Sequence, residues 1–161
     1  MKAYLDTDIV SAIAKDDYPN EAASLDQLLE FAEADKIEIV TSELARREIE
    51  RYQGQHSKGI QRVYRLLGKV SFIEDHTVLG FQSDPWAGGS FPLVEDDRTA
   101  SALRQMGLER TDAHHLMLAI RAGCEVFLTC DERTILNRRA SIEASFPIKV
   151  MKPSELAQQL A

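Results

Sequence analysis

Cysteine and long apolar runs are scarce in this chain, and each shortage excludes a class of protein. Cys124 and Cys130 are the two cysteines among 161 residues, and they form no C-x-x-C pair. A structural zinc site or a disulfide framework is therefore not expected, and reduced thiols are. The apolar runs fall far short of the roughly 20 residues that cross a bilayer. Near the N-terminus an acidic pair stands where a secretory signal would be apolar, so we expect no membrane segment and a cytoplasmic location.

Proline, glycine and tryptophan are sparse as well, at five, eight and one residues. Together with 44% hydrophobic and 28% charged residues, these counts are typical of an ordinary folded protein and exclude collagenous and disordered chains. The sequence contains no low-complexity tract and no internal repeat. Because about 100 to 200 residues per domain is usual, we expect residues 1–161 to form a single domain.

Positive charge is also in short supply overall but is concentrated in one segment. The net charge of −7 and the pI near 5.1 argue against a protein that attracts nucleic acid through its overall field. Residues 45–69, however, contain seven basic and two acidic residues, with Tyr52 and Tyr64 among them. By itself this segment indicates a solvated helix face. The basic residues are Arg46, Arg47, Arg51, Lys58, Arg62, Arg65 and Lys69.

Short apolar segments alternate with helical patterns along the chain. This alternation predicts an α/β fold, with a mostly parallel sheet of about five strands covered by helices on both faces. The second strand carries alternating charge and is therefore expected near an edge of the sheet. Strands are predicted at residues 2–5, 37–40, 70–73, 126–129 and 148–151. Helices are predicted at residues 7–14, 21–34, 42–67, 97–106, 111–122, 132–139 and 154–160, with Thr111 as an N-cap and Gly123 beyond a C-terminus.

Residues 75–95 fit neither pattern. They contain two prolines, three glycines and Trp86, which together predict a long loop. Trp86 is interpreted as a buried anchor of that loop. The segment offers no chemistry of its own.

Acidic residues recur where the predicted strands end. Asp6 and Asp8 follow the first strand, Glu43 follows the second, and Asp131 follows the strand at residues 126–129. Asp112 opens the helix at residues 111–122. Each has an ordinary explanation as a helix cap or a first-turn acid. Those explanations do not predict four acids at one edge of a parallel sheet, where ligands of such folds bind.

Converging carboxylates need a compensating charge or a bound proton. Two carboxylates about 4 Å apart repel each other by about 4 kcal/mol at an effective dielectric constant near 20. A raised pKa or a bound cation offsets that cost. An all-oxygen set favours a hard ion, Mg²⁺ or Mn²⁺.

Three segments together resemble the PIN-domain ribonucleases, and in particular the small VapC-like toxins of type II toxin–antitoxin systems. The segments are AYLDTDIV at the start, TSELARREIE after the second strand and TDAHHLMLAIRAGCEVFLTCDERTIL near the end. They occur in the family's order over nearly the whole chain. The resemblance implies metal-dependent RNA cleavage by an acidic quartet of Asp6, Glu43, Asp112 and Asp131, which would bind Mg²⁺ or Mn²⁺, with Thr129 as a supporting polar contact.

The resemblance also bears on Asp8 and on possible partners. Asp8 stands where the family often has Asn or Ser, so it adds a negative charge beside the quartet. Beside an acidic site, the basic segment gains a role in holding the RNA backbone. A small antitoxin is implied as a partner, and the amphipathic stretch LDQLLEFAEA could provide its groove or a homodimer contact; core packing is the ordinary alternative.

Other interpretations stay open. The segment YLDTDIV also fits the D-x-D-x-[TV] signature of haloacid-dehalogenase-like phosphatases, in which the first Asp is a nucleophile and the second a general acid. That family's later G-D-x-x-x-D motif is absent, because ERTIL follows LTCD. A phosphorylation receiver draws only on the Lys-Pro of IKVMKP. A PIN-like module without catalysis is a third alternative.

Two further residue types near these motifs are assigned no chemistry. At least one of His114 and His115 is expected at the surface or at its boundary, and neither is expected to be a ligand. Cys130 is interpreted as a packing residue because no His is placed as its base.

Overall fold

Five parallel strands form the centre of the molecule. The structure is a computed structural model, and it describes residues 1–15, 18–43, 45–46, 68, 70–73 and 98–161. The strand order is β3-β2-β1-β4-β5, and every neighbouring pair is parallel. The predicted α/β fold class is therefore confirmed. The strands are β1 (Lys2–Leu5), β2 (Glu38–Ser42), β3 (Ser71–Ile73), β4 (Val126–Leu128) and β5 (Lys149–Met151).

Helices follow the strands in the order expected for crossover connections. Gly123, with a φ of 69°, lies just beyond the C-cap of α4, as predicted, because glycine adopts this left-handed conformation without steric cost. The helices are α1 (Thr7–Lys15), α2 (Pro19–Glu33), α3 (Arg98–Gln105), α4 (Arg110–Arg121), α5 (Arg139–Ser145) and α6 (Pro153–Leu160), with a 3₁₀ helix at Leu136–Arg138. Glu43, Ala45 and Arg46 are also helical.

Both faces of the sheet are buried, which explains the apolar strands. Alternate residues of a strand point to opposite faces, so Leu5 joins one core cluster while Tyr4 joins the other. The first cluster packs the sheet against α1, α2 and α6. The second packs it against α3, α4 and α5. Tyr4 and Phe127 stack in this second core, with ring centroids 5.3 Å apart and ring planes at 7°.

Some predictions about the elements are wrong. β2 lies one strand in from the edge strand β3, no nearer to an edge than the apolar β4. Its exposed Glu38 is the first residue of the strand and pairs with Lys2 on β1, so its charge sits at the strand end. Thr111 lies inside α4, whose N-cap is Glu109. The helix predicted at residues 132–139 is a turn followed by the 3₁₀ helix, and α5 begins only at Arg139.

Several predicted features fall outside the described residues. These are most of the helix at residues 42–67, the loop at residues 75–95 with Trp86, and six basic residues, namely Arg47, Arg51, Lys58, Arg62, Arg65 and Lys69. Within the described part of the chain, no helix combines the length and apolar character that membrane crossing requires.

The stretch LDQLLEFAEA lies on α2 and packs largely within the chain. Leu25, Leu28 and Leu29 are buried in the same core cluster as Leu156 and Ala157 of α6. These three leucines therefore belong to the core. The proposed groove or homodimer contact on this helix remains a prediction.

Glu21 links α2 to the start of α6 through hydrogen bonds, so its removal should lower the free energy of unfolding. Its carboxylate accepts hydrogen bonds from the backbone N–H of Ser154 at 2.9 Å and from the Ser154 hydroxyl at 2.8 Å. Because both bonds are charge-assisted and part-buried, we expect Glu21→Ala to lower the free energy of unfolding by about 1 to 2 kcal/mol. Urea denaturation measures this. Glu30→Ala, on the exposed face of the same helix, is the matched control and should change stability by less than about 0.5 kcal/mol.

Candidate functional site

The strand order reverses between β1 and β4, and two acids emerge there. Asp6 directly follows β1, and Asp131 lies three residues beyond β4. Thr129 joins them: its hydroxyl donates to Oδ2 of Asp6 at 3.0 Å and accepts the backbone N–H of Asp131 at 3.1 Å. In open α/β sheets this reversal point is where ligands bind. The structure therefore places Asp6, Asp131 and Thr129 at the position that the fold favours for a site.

Asp6 is held by hydrogen bonds, and its burial disfavours the charged form of its carboxyl group. Only 5% of the residue is exposed, and its Oδ1 accepts the backbone N–H of Thr7 at 2.8 Å. Burial is the main cause that raises the pKa of Asp6, to about 7, and the negative charge of Asp112 adds to it. The hydrogen bonds from Thr129 and Thr7 oppose that rise. The negative charge of Asp112 therefore acts on the carboxyl group of Asp6.

Asp112 and Asp131 are bridged by a residue that the sequence analysis missed. The hydroxyl of Thr134 lies 3.3 Å from Oδ2 of Asp112 and also contacts Oδ2 of Asp131. Oδ1 of Asp131 accepts the backbone N–H groups of Arg133 and Thr134, both at 3.0 Å. Asp131 thus also has the capping role considered as its ordinary explanation. Burial and the charge of Asp131 raise the pKa of Asp112.

Asp8 adds a fourth acid on this side. Its Oδ2 accepts the backbone N–H of Cys130 at 3.0 Å. Its Oδ1 is buried, and among the described residues it has no hydrogen-bond partner. Burial and the neighbouring charge of Asp6 raise the pKa of Asp8 to about 9. Asp8 therefore places a second buried carboxyl group close to that of Asp6.

Glu43 has a different described partner from the other members of the predicted quartet. It follows β2 and pairs with Arg46, whose nearest guanidinium nitrogen lies 3.6 Å from its carboxylate. The Glu43 side chain is 40% exposed. No described contact joins it to Asp6, Asp112 or Asp131. Arg46 lies over the ring of Phe72, with 5.4 Å between its Cζ and the ring centroid. Of the basic residues predicted to bind RNA, Arg46 is the one within the described part of the chain.

The donor chemistry of the site suits a hard divalent cation. Asp6, Asp8, Asp112 and Asp131 offer only oxygen atoms, and the pKa of three of these acids is raised. A cation beside them would relieve both the repulsion and the unpartnered oxygen of Asp8. As their side chains stand, no three His, Cys, Asp or Glu residues in the described ranges are grouped closely enough to hold a metal ion. The residues therefore fit a cation in the chemistry of their donor atoms.

Two other expectations about this region can be compared with the structure. His114 and His115 are both buried, at 9% and 1% exposure, so the expectation that one lies at the surface or boundary is wrong. Residues 113–119 of α4 are all buried. Cys130 is buried in the first core cluster, and burial raises the pKa of its thiol, which agrees with a packing role.

Thr134 provides a direct test of how Asp112 and Asp131 are oriented. Thr134→Val removes the shared hydroxyl while it keeps the side-chain volume, and it leaves both carboxylates without that donor. We expect the affinity for Mn²⁺ to fall by about 10-fold, since loss of a group that orients a ligand typically costs 10- to 100-fold. Isothermal titration calorimetry with MnCl₂ measures this. Thr134→Ser retains the hydroxyl and should stay within about 3-fold of the wild type; equal losses in both variants would contradict the assignment.

The fold resembles that of a known structure. One chain of the structure described as "Crystal structure of VapBC2 from Rickettsia felis bound to a DNA fragment from their promoter" superimposes with a TM-score of 0.58 at 14% sequence identity. The match covers 94% of this chain and 98% of that one. No protein-family model and no curated protein matches the chain. The resemblance is one of fold over nearly the whole length of both chains.

Proposed function

We propose that the chain is a divalent-cation-dependent endoribonuclease of the PIN-domain kind and the toxin of a toxin–antitoxin pair. The observation that carries the proposal is the set of acids at the strand-order reversal, where Thr129 bridges Asp6 to Asp131 and Thr134 bridges Asp131 to Asp112. The fold similarity to a chain of the VapBC2 structure supports it. The ordered sequence segments that resemble the PIN family support it independently.

Asp6, Asp112 and Asp131 would hold Mg²⁺ or Mn²⁺. The chemistry supplied by such a cation is neutralisation of phosphate charge and activation of a water nucleophile. Asp6, with a pKa of about 7, suits a group that holds a proton at neutral pH and releases it when positive charge arrives. The hydrogen bond from Thr129 fixes the orientation of the Asp6 carboxyl group, and the hydroxyl of Thr134 does the same for Asp112. Glu43 would have to leave Arg46 to join them as a fourth ligand.

Arg46 is placed to assist with the substrate. It lies on the helical turn that follows β2, paired with Glu43, and its exposed guanidinium group can meet a phosphate of the RNA backbone. The remaining basic residues of the segment 45–69 are proposed to extend this surface. This local charge would compensate for a chain whose net charge is −7.

A small antitoxin is the proposed protein partner. The similar structure contains VapBC2 together with promoter DNA, which supports a partner of that kind for this chain. A homodimer and a cytoplasmic location are proposed with it. Co-expression of the gene with its neighbour and purification through a tag on this chain tests the first point, because a bound small protein should copurify.

A phosphatase remains a second candidate because of one observation. Asp8 lies two residues after Asp6, and its raised pKa of about 9 would keep it protonated at neutral pH, as a general acid requires. In that case Asp6 would attack a phosphomonoester. Both Asp6 oxygens accept hydrogen bonds, from Thr7 and from Thr129, which makes this carboxylate a poorer nucleophile.

Cleavage assays separate the candidates. Purified protein is incubated with single-stranded RNA and with p-nitrophenyl phosphate, in one series with Mn²⁺ in large excess over the protein and in a second series with EDTA in place of Mn²⁺. We expect Mn²⁺-dependent RNA fragments with 5′-phosphate ends and no release of p-nitrophenol. Release of p-nitrophenol without RNA cleavage would instead identify a phosphatase. Inactivity on both substrates would favour a module without catalysis.

A further inference from the structure

A line of buried polar side chains connects α4 to the start of α1 and to the helical turn that follows β2. Oη of Tyr4 lies 2.7 Å from Nδ1 of His115 and 2.9 Å from Oγ of Ser42. Nε2 of the same His115 lies 3.3 Å from Oγ1 of Thr7. Tyr4, Ser42 and His115 are at most 1% exposed. Both ring nitrogens of His115 therefore have a described partner, and a neutral imidazole satisfies both contacts.

The two ends of this line reach the elements that carry the predicted acids. Thr7 also donates its backbone N–H to Oδ1 of Asp6 at 2.8 Å. Oγ of Ser42 accepts the backbone N–H of Ala45 at 3.1 Å, which makes Ser42 an N-cap of the helical turn that begins at Glu43. His115 itself follows Asp112 by three residues on α4, a spacing that puts both on one side of the helix. One imidazole is thus linked to the segments that hold Asp6, Glu43 and Asp112.

The contacts of Tyr4 indicate that His115 is more than a partner for a buried hydroxyl. Ser42 already satisfies Tyr4, and an apolar residue at position 115 would avoid the cost of burying an imidazole. What the imidazole adds is the second contact, from Nε2 to Thr7, and hence a connection between α4 and the turn that orients Asp6.

We propose that His115 is a positioning residue that fixes Asp6, Glu43 and Asp112 relative to one another through Thr7, Tyr4 and Ser42. The proposal rests on the proposed function, because it assumes that these acids bind a cation and act on RNA. His115 touches neither substrate nor cation in this arrangement. It acts through the placement of the carboxylates.

Two amide variants separate the two ring contacts. In His115→Asn the side-chain amide N–H can replace Nδ1–H as the donor to Tyr4, and the contact to Thr7 is lost. In His115→Gln the amide can replace Nε2 toward Thr7, and the contact to Tyr4 is lost. For each variant we expect Mn²⁺ affinity and kcat for RNA cleavage to fall by about 10-fold while KM changes by less than about 2-fold, since the RNA-binding surface is untouched.

A double-variant cycle and a matched control sharpen the test. If the effect of His115→Asn passes through Thr7, then Thr7→Val should reproduce it, and the double variant should lie within about 2-fold of either single one. Thr7→Ser, which keeps the hydroxyl, should remain close to the wild type. His114→Asn is the control, because it alters the adjacent buried histidine about 100° away around α4 and should leave Mn²⁺ affinity unchanged. Thermal melts on every variant confirm folding, and Thr7→Val carries the test alone if the His115 variants unfold.

The outcomes distinguish this inference from the function on which it rests. Wild-type protein that binds Mn²⁺ and cleaves RNA, with His115→Asn, His115→Gln and Thr7→Val all equal to it, would overturn only the role of His115. Additive losses from Thr7→Val and His115→Asn would also overturn it. Wild-type protein that neither binds Mn²⁺ nor cleaves RNA would overturn the proposed function, and the inference with it.

Discussion

Asp112→Asn is expected to lower Mn²⁺-dependent RNA cleavage by at least about 10³-fold, equivalent to about 4 kcal/mol of lost transition-state stabilisation. The substitution removes the charge of a carboxylate whose raised pKa reflects burial and the nearby Asp131. The amide oxygen can still accept the hydrogen bond from Thr134, so the fold around the site should persist. The rate of fragment formation from a labelled RNA, at saturating Mn²⁺, measures the effect.

Glu125→Gln is the matched control for this loss. Glu125 is an exposed carboxylate that pairs with the N-terminal amine and accepts the backbone N–H of Lys2, at the opposite end of the strands from Asp6. Its removal should change the cleavage rate by less than about 2-fold, as surface substitutions away from a site usually do. Comparable losses in both variants would mean that general charge, and not the site, governs cleavage.

Asp8→Asn is expected to stabilise the protein without added metal, by about 2 kcal/mol at pH 8, which corresponds to a rise in Tm of about 4 to 8 °C. With its pKa raised to about 9, Asp8 must hold a proton at pH 8 in the folded wild type, whereas the unfolded chain binds none there. The neutral amide removes that cost, and its oxygen can accept the backbone N–H of Cys130 in place of the carboxyl group. Thermal melts of wild type and variant in EDTA measure the difference.

The gain should depend on pH with a definite sign. The pKa values of Asp6 and Asp8 rise from 3.8 to about 7 and about 9 in the folded protein. At pH values between the unfolded and folded pKa values, the folded state therefore binds more protons than the unfolded state. The stability that these bound protons contribute is complete below about pH 4, and it is lost as the pH rises through about 7 for Asp6 and about 9 for Asp8. The advantage of Asp8→Asn should accordingly be small at pH 5 and large at pH 8. A destabilised variant, or an advantage that is constant across this range, would contradict the account.

The central strands and the place of Asp6 and Asp131 were predictable from sequence for a simple physical reason. β1 and β4 are short, buried apolar runs, and Asp6 and Asp131 follow them, so these two acids emerge at the same edge of a parallel sheet. The position of β2 was not predictable from its charges. Glu38 occupies only the exposed end of that strand, while Ile39 and Val40 are buried.

The supporting residues were harder to predict because their roles depend on contacts between distant segments. Thr134 looks like any threonine in a turn after an aspartate, and only the approach of α4 brings Asp112 to its hydroxyl. His115 lies beside apolar residues that explain burial of the helix without it. Glu43 was grouped with the other acids by its place after β2, yet its side chain pairs with Arg46, three residues along the same helical turn.

Anomalous diffraction from crystals soaked in MnCl₂ tests most directly whether these acids form one cation site. The account predicts a manganese peak at the reversal between β1 and β4, with carboxylate oxygens of Asp6 and Asp112 about 2.0 to 2.4 Å from the ion. The absence of any peak near these oxygens at saturating Mn²⁺, or a peak bound only by other residues, would contradict it.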